Sequence, residues 1–142
     1  MIYFSVIDVP SKIIAKKAVK AWLENVISLK KLSLGDISIV LCSDEHLLSV
    51  NKEYLDHDYY TDIITFDYTE EDVISGDLLI SYDRVKENAR KEGVRVQDEL
   101  KRVMVHGLLH LCGYKDKSNR DAKIMRSEED KALNLFHVEH TK

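Results

Sequence analysis

Two spacings of apolar residues alternate along this chain. The run IYFSVID (2–8) is short, β-branched and aromatic, and predicts a first strand. From Ser11 to Lys30 the spacing lengthens. Ile14, Ala18, Ala21, Trp22 and Leu23 fall on one helical stripe, with Ser11 as the candidate N-cap. DISIVLCS (36–43) reads as a second strand, and Ser43 or Asp44 then caps a helix through DEHLLSVNKEYL (44–55). TDIITFDY (61–68) and GDLLISYD (76–83) are two more strands, joined by the acidic loop TEEDVIS (69–75). The remainder is helical. SYDRVKENARKEG closes at Gly93, VQDELKRVMVHGLLHLCG closes at Gly113, and SNRDAKIMRSEEDKALNLFHV forms a last charged helix. The order β-α-β-α-β-β-α-α-α predicts an α/β (α+β) fold: a small four-stranded mixed sheet covered by about five helices.

Composition changes this picture little. A chain of 142 residues with 44% hydrophobic and 32% charged residues fits one soluble domain, 1–142, with a full core. The N-terminus lacks the basic and long apolar regions of a signal peptide, and no apolar run nears the ~20 residues that span a bilayer, so a cytoplasmic protein is expected. Cys42 and Cys112 form no CxxC pair and read as small buried hydrophobes.

Charge is more informative in its distribution than in its sum. The formal net charge of -4 does not suggest a nucleic-acid binder. From Arg84 to Arg126, however, twelve Lys and Arg stand against six Asp and Glu. Such asymmetry marks either a polyanion-binding face or a set of solvated helix faces, and the sequence supports the two equally.

The chemistry lies in HGLLHLCGYKD (106–116), within the basic segment. Residues four apart share a helix face, so His106 and His110 aim both imidazoles at one point. From Val103 to Cys112 the helix is otherwise apolar on nearly every face, which predicts burial. Two buried imidazoles on one face are more simply satisfied by one shared metal than by two separate hydrogen-bond solutions. The helix ends at Gly113, and Asp116 follows where a carboxylate can return to the same ion. His106, His110 and Asp116 are therefore the expected ligands, with water in the open position. Cys112 points to another face and is expected in the core. Gly107 costs a helix ~1 kcal/mol relative to alanine and implies close passage of a packed element or a substrate.

HGLLHLCGYKD resembles the HGxLHLxGYDH signature of the YbeY family of bacterial endoribonucleases. NKEYLDHDYYTDIITF (51–66) and GDLLIS (76–81) are similar to two further family blocks, in the family's order. The resemblance implies a small α/β sheet with several helices. It also implies a metal-dependent hydrolase, usually described with zinc (one Zn2+ per chain). Its substrate would be single-stranded RNA, with roles in processing the 3′ end of small-subunit rRNA and in ribosome quality control. The partners implied are rRNA and the ribosomal small subunit, without membrane or DNA. Three positions depart from the family pattern. Asp116 stands at the usual third histidine, Leu55 at an arginine, and Tyr60 at a proline.

A bound metal lowers the pKa of its water toward ~7 and polarises a phosphoryl oxygen; attack by the RNA 2′-hydroxyl is the alternative route. His106 is the expected catalytic ligand and Asp62 the candidate general base, although a turn role fits Asp62 equally. Asp77 is expected to stabilise the turn into its strand. Lys115, Lys117, Arg84 and Arg90 are candidates to touch phosphate, each against a solvated-surface reading. His46, His57, His137 and His140 show no partner pattern and are expected at the surface. Two other classes remain: a metallohydrolase of a different substrate, and a non-catalytic ribosome-assembly factor in which zinc staples the last helices.

Overall fold

Each β-branched run becomes a strand and each 3.6-residue stripe a helix. The computed structural model describes residues 1–10, 13 and 15–140, the side chains of 139 and 140 excepted. The elements are β1 (Ile2–Ile7), α1 (Lys16–Leu29), β2 (Ser33–Cys42), α2 (Asp44–Leu55), β3 (Ile63–Asp67), β4 (Val73–Ser81), α3 (Tyr82–Glu92), α4 (Val96–Leu111) and α5 (Asn119–His140). The expected order is the observed one. Ser11 and Ile14, the candidate cap and first stripe position of α1, lie outside the described residues, as does the side chain of His140. Among the described residues no helix is long and apolar enough to cross a membrane.

The sheet order is β1-β2-β4-β3, with β1, β2 and β4 parallel and β3 antiparallel on the edge beside β4. The hairpin between β3 and β4 is tighter than the sequence suggests. Glu70 and Val73 bridge across the turn, so Val73, Ile74 and Ser75 belong to β4 and not to the loop. Asp77 consequently lies inside β4, opposite Phe66, and not in a turn.

The two sheet faces divide the core. Ile37, Ile39, Leu41, Leu78 and Ile80 pack with α1, α4 and α5 in the main cluster. Cys42, Leu47, Val50 and Ile64 form a smaller cluster with α2 on the other face. In α1 the buried positions are Val19, Trp22, Leu23, Val26 and Ile27. Ala21, which the stripe included, is exposed. Trp22 is fully buried, satisfies its indole N–H by donating to the Ala132 carbonyl at 2.7 Å, and meets Phe136 edge-on.

Helix α4 is the centre of the molecule. Leu100, Val103, Met104, Val105, Leu108, Leu109 and Leu111 are all buried. It crosses the sheet over β3 and β4 at Gly107, where an added Cβ would stand 2.7 Å from Ile63 Cδ1 and 2.9 Å from Leu78 Cδ2. The glycine therefore admits a packed element, and this close approach sets the height of the histidines above the sheet edge.

A second glycine ties β4 to its neighbours. A Cβ on Gly76 would lie 2.4 Å from the Phe66 carbonyl oxygen and 2.8 Å from Leu111 Cδ2. Gly76→Ala is expected to cost about 1–3 kcal/mol in urea denaturation, as overpacking does. In hydrogen exchange, protection should fall first along β3, whose backbone must move.

Candidate metal centre and its cleft

The centre is built by the way α4 ends. Cys112 is the last turn residue, and Gly113 follows at φ 102°, a conformation that favours glycine. The Gly113 N–H donates to the His110 carbonyl and the Tyr114 N–H to the Leu109 carbonyl, both at 3.0 Å. This is the paired bonding of a Schellman end. It reverses the chain and brings Asp116 back over the helix face that carries His106 and His110.

The three side chains converge. His106 Nε2 lies 3.1 Å from His110 Nε2, and Asp116 Oδ2 lies 3.2 Å from the first and 3.3 Å from the second. An ion held tetrahedrally by N and O ligands at ~2.0–2.1 Å sets those ligand atoms roughly 3.3–3.4 Å apart. The triangle thus has nearly the edge lengths that a small divalent ion requires, and the three residues could hold one. Cys112 takes no part and packs against the core, as expected.

A residue without a sequence signal completes the centre. Glu129, from α5, is 5% exposed, and its Oε2 accepts from His106 Nδ1 at 2.6 Å. Its Oε1 accepts from Arg102 Nη1 at 2.9 Å, and Arg102 Nη2 donates to Asp130 at 2.7 Å. With Nδ1–H pointed at Glu129, a neutral His106 presents the Nε2 lone pair to the shared point, an assignment made from this hydrogen-bond network. Burial opposes charge on His106. The hydrogen bond and charge of Glu129, with Asp116 and Asp62, outweigh it and lift the imidazole above its ordinary value. Burial likewise pushes Glu129 upward, but the bonds from His106 and Arg102 prevail and hold it below the usual carboxylate range.

Two clefts meet here. One, of about 420 Å³, follows the β3 edge past Asp62, Thr65 and Asp67 to the triad. The other, also about 420 Å³, opens between α3, α4 and α5 and shares Asp62, His106 and Asp116 with the first. Asp62, the candidate base, is thus on the wall common to both. Burial raises its carboxyl above the ordinary range, against the pull of His106.

The other candidates separate. Arg84 and Arg90, expected as phosphate contacts, line neither cleft. Arg84 Nε donates to Asp44 at 3.1 Å and its guanidinium lies over Tyr60, while Arg90 Nη2 donates to Glu87 at 2.6 Å. Both arginines are committed to partners, Arg84 across the fold to α2 and Arg90 within its own helix. Leu55 ends α2, which packs on the far face of the sheet. His57 and His137 are exposed as expected, though His57 stacks on Tyr59; His46 is half-buried at the start of α2.

The charge asymmetry resolves into two parts. Lys86, Lys91, Arg95 and Lys101 pair with acids on or beside their own helices, a solvated-face pattern. Lys115, Lys117, Arg120 and Lys123 are exposed and form no ion pair among the described residues. They lie on the strap from Lys115 into α5. The cleft between α3 and α5 is itself acidic, with Asp62, Glu92, Glu99 and Glu129 against Arg102 and Arg126.

Comparison with known proteins gives a consistent answer. The sequence profile of the family described as Endoribonuclease YbeY matches residues 7–137. A protein of that name from Flavobacterium johnsoniae is 50% identical over 87% of this chain and 89% of its own length. Another from Cytophaga hutchinsonii is 46% identical over 94% of both. A Thermotoga maritima protein solved in solution superposes with a TM-score of 0.69 at 26% identity, covering 98% of this chain and 91% of its own.

The Glu129 contact can be tested by itself. Glu129→Gln keeps the shape and removes the charge that fixes His106. Zinc affinity, measured by competition with a chromophoric chelator, is expected to fall about 10–100-fold with the circular dichroism spectrum unchanged.

Proposed function

The chain belongs to the Endoribonuclease YbeY family, and from that premise we propose that it is a zinc-dependent endoribonuclease. Its substrate is single-stranded RNA, and its place is the cytoplasm, in 3′-end maturation of small-subunit rRNA and in ribosome quality control on the small subunit. The observation that carries the hydrolase reading is the convergence of His106, His110 and Asp116 beside an open cleft. The rRNA, quality-control and cytoplasmic assignments rest on the family.

His106, His110 and Asp116 hold the ion, two imidazoles and a carboxylate being a borderline-soft donor set that suits zinc. When bound, the zinc supplies Lewis acidity toward water and toward a phosphoryl oxygen. Glu129 keeps the His106 ring in the ligating tautomer. Asp62, on the wall of both clefts, takes the proton from the attacking hydroxyl group. Leu55 supplies no charge at the family's arginine position. Contact with the phosphates therefore falls to Lys115 and to its unpaired neighbours Lys117, Arg120 and Lys123. These four cations give the salt-dependent part of RNA binding.

Elemental analysis and RNA cleavage, on the same untagged samples, test this reading. Wild type is expected to carry about one zinc per chain. His110→Ala and Asp116→Ala are expected to lose both zinc and cleavage of single-stranded RNA while remaining folded by circular dichroism. Zinc-loaded wild type that cleaves no RNA would overturn the nuclease assignment and leave a structural zinc.

A further inference from the structure

The cleft between α3, α4 and α5 contains a group that neither the metal centre nor the core uses. Glu99, in the first turn of α4, is only 8% exposed. Its carboxylate accepts no hydrogen bond and joins no ion pair among the described residues. Of the two cations that act on it, Arg102 has the larger effect and is already bonded to Glu129 and Asp130, and Arg126 has the smaller. Burying an unpaired carboxylate is costly, and among the described residues no fully buried side-chain oxygen lacks a partner; the Glu99 oxygens therefore reach open space, in the cleft that Glu99 lines together with Asp62. The floor beside them is apolar: Val103 is 4% exposed, Met125 is 2% exposed, and Ala122 adjoins. Two donors line the same cleft, the Asn88 amide and the half-exposed Arg126 guanidinium, whose charge acts on Glu99.

An apolar floor, an acceptor edge and a donor rim describe a flat, hydrogen-bonding ring and not an ion. Among the described residues only the His106 triad gathers ligand atoms closely enough for a metal. Of the four RNA bases, guanine alone presents two adjacent N–H donors, N1–H and N2–H, beside an acceptor, O6. Adenine, cytosine and uracil each set an acceptor next to their donor, which a carboxylate repels.

We propose that this cleft is a guanine-binding subsite, with Glu99 accepting from N1–H and N2–H, Arg126 or Asn88 donating to O6, and Met125 and Val103 under the ring. It rests on the endoribonuclease reading and gives that reading a base preference. Because the cleft shares His106 and Asp116 with the metal centre, the bound guanosine adjoins the bond that is cut. Single-stranded RNA is read in this way, through splayed bases and their Watson–Crick edges.

The test uses oligouridine strands carrying a single guanosine, inosine, adenosine or cytidine, with zinc-loaded wild type and Glu99→Gln. Wild type is expected to cut beside guanosine about tenfold or more faster than beside the other bases. Inosine, which lacks the N2 amine, should be intermediate, and Glu99→Gln should level the preference. Its zinc content should be unchanged, and it removes a buried charge, so folding should survive. Cleavage without base preference, or a preference that Glu99→Gln retains, overturns the subsite. A second readout separates this from failure of the nuclease reading: the NMR shift of the Met125 methyl on adding guanosine or uridine 5′-monophosphate. A shift with the guanosine nucleotide alone, absent in Glu99→Gln, supports the subsite even in protein that cuts no RNA. No shift in wild type overturns it.

Discussion

The structure depends on burying one helix. α4 carries apolar side chains on almost every face, and the sheet, α3 and α5 enclose it. A helix so placed can come close to a sheet only where its side chains are small, and Gly107 provides that point over Ile63 and Leu78. The consequence is geometric. His106 and His110, one residue before Gly107 and three after it, are held at the β3 edge by a packed core and not by a loop. The site inherits the rigidity of the interior while its open side stays wet.

Burial then dictates what the polar groups of α4 must do. An imidazole in that helix needs a partner for each nitrogen, and His106 has one on each side: Glu129 at Nδ1 and the shared point at Nε2. Glu129 is itself buried and needs more than one donor, which Arg102 supplies from one turn earlier on α4. The chain Asp130–Arg102–Glu129–His106 is thus a set of obligations passed outward until it reaches solvent. A half-completed network would be worse than an apolar one. Because each member is satisfied, the helix can present a ligand whose orientation is fixed before any ion arrives.

Electrostatics sorts the surroundings by distance from the centre. Carboxylates crowd the cleft, whereas four unpaired cations, Lys115, Lys117, Arg120 and Lys123, lie on the strap beside it. Near the reacting atoms, negative charge suits a cation and the N–H edge of a base. Farther out, mobile lysines and arginines suit phosphates, whose contact needs attraction and little geometry. The chain is acidic overall at -4, and a compact basic strap reconciles that sum with a polyanionic substrate.

Local information was legible in the sequence. The strands, the helices and their order follow from spacing, and the two helix ends at Gly93 and Gly113 follow from the residue best suited to a positive φ. His106, His110 and Asp116 were readable together because they lie within eleven residues, on one helix face and the turn that ends it. Groups that meet across the fold were not. Glu129 sits in a charged run that reads as solvent-facing, and it is buried only because α5 docks on α4. Glu99 reads as a first-turn acid, and α3, α4 and α5 together make the cleft it faces. Arg84 is drawn away from the clefts for the same reason, since packing brings its partner Asp44 to it, whereas Arg90 is held by Glu87 three residues earlier on its own helix. Helix periodicity is a property of neighbours along the chain and sequence alone determines it. The pairing of buried charges between helices is set by how those helices dock, and only the tertiary structure decided it.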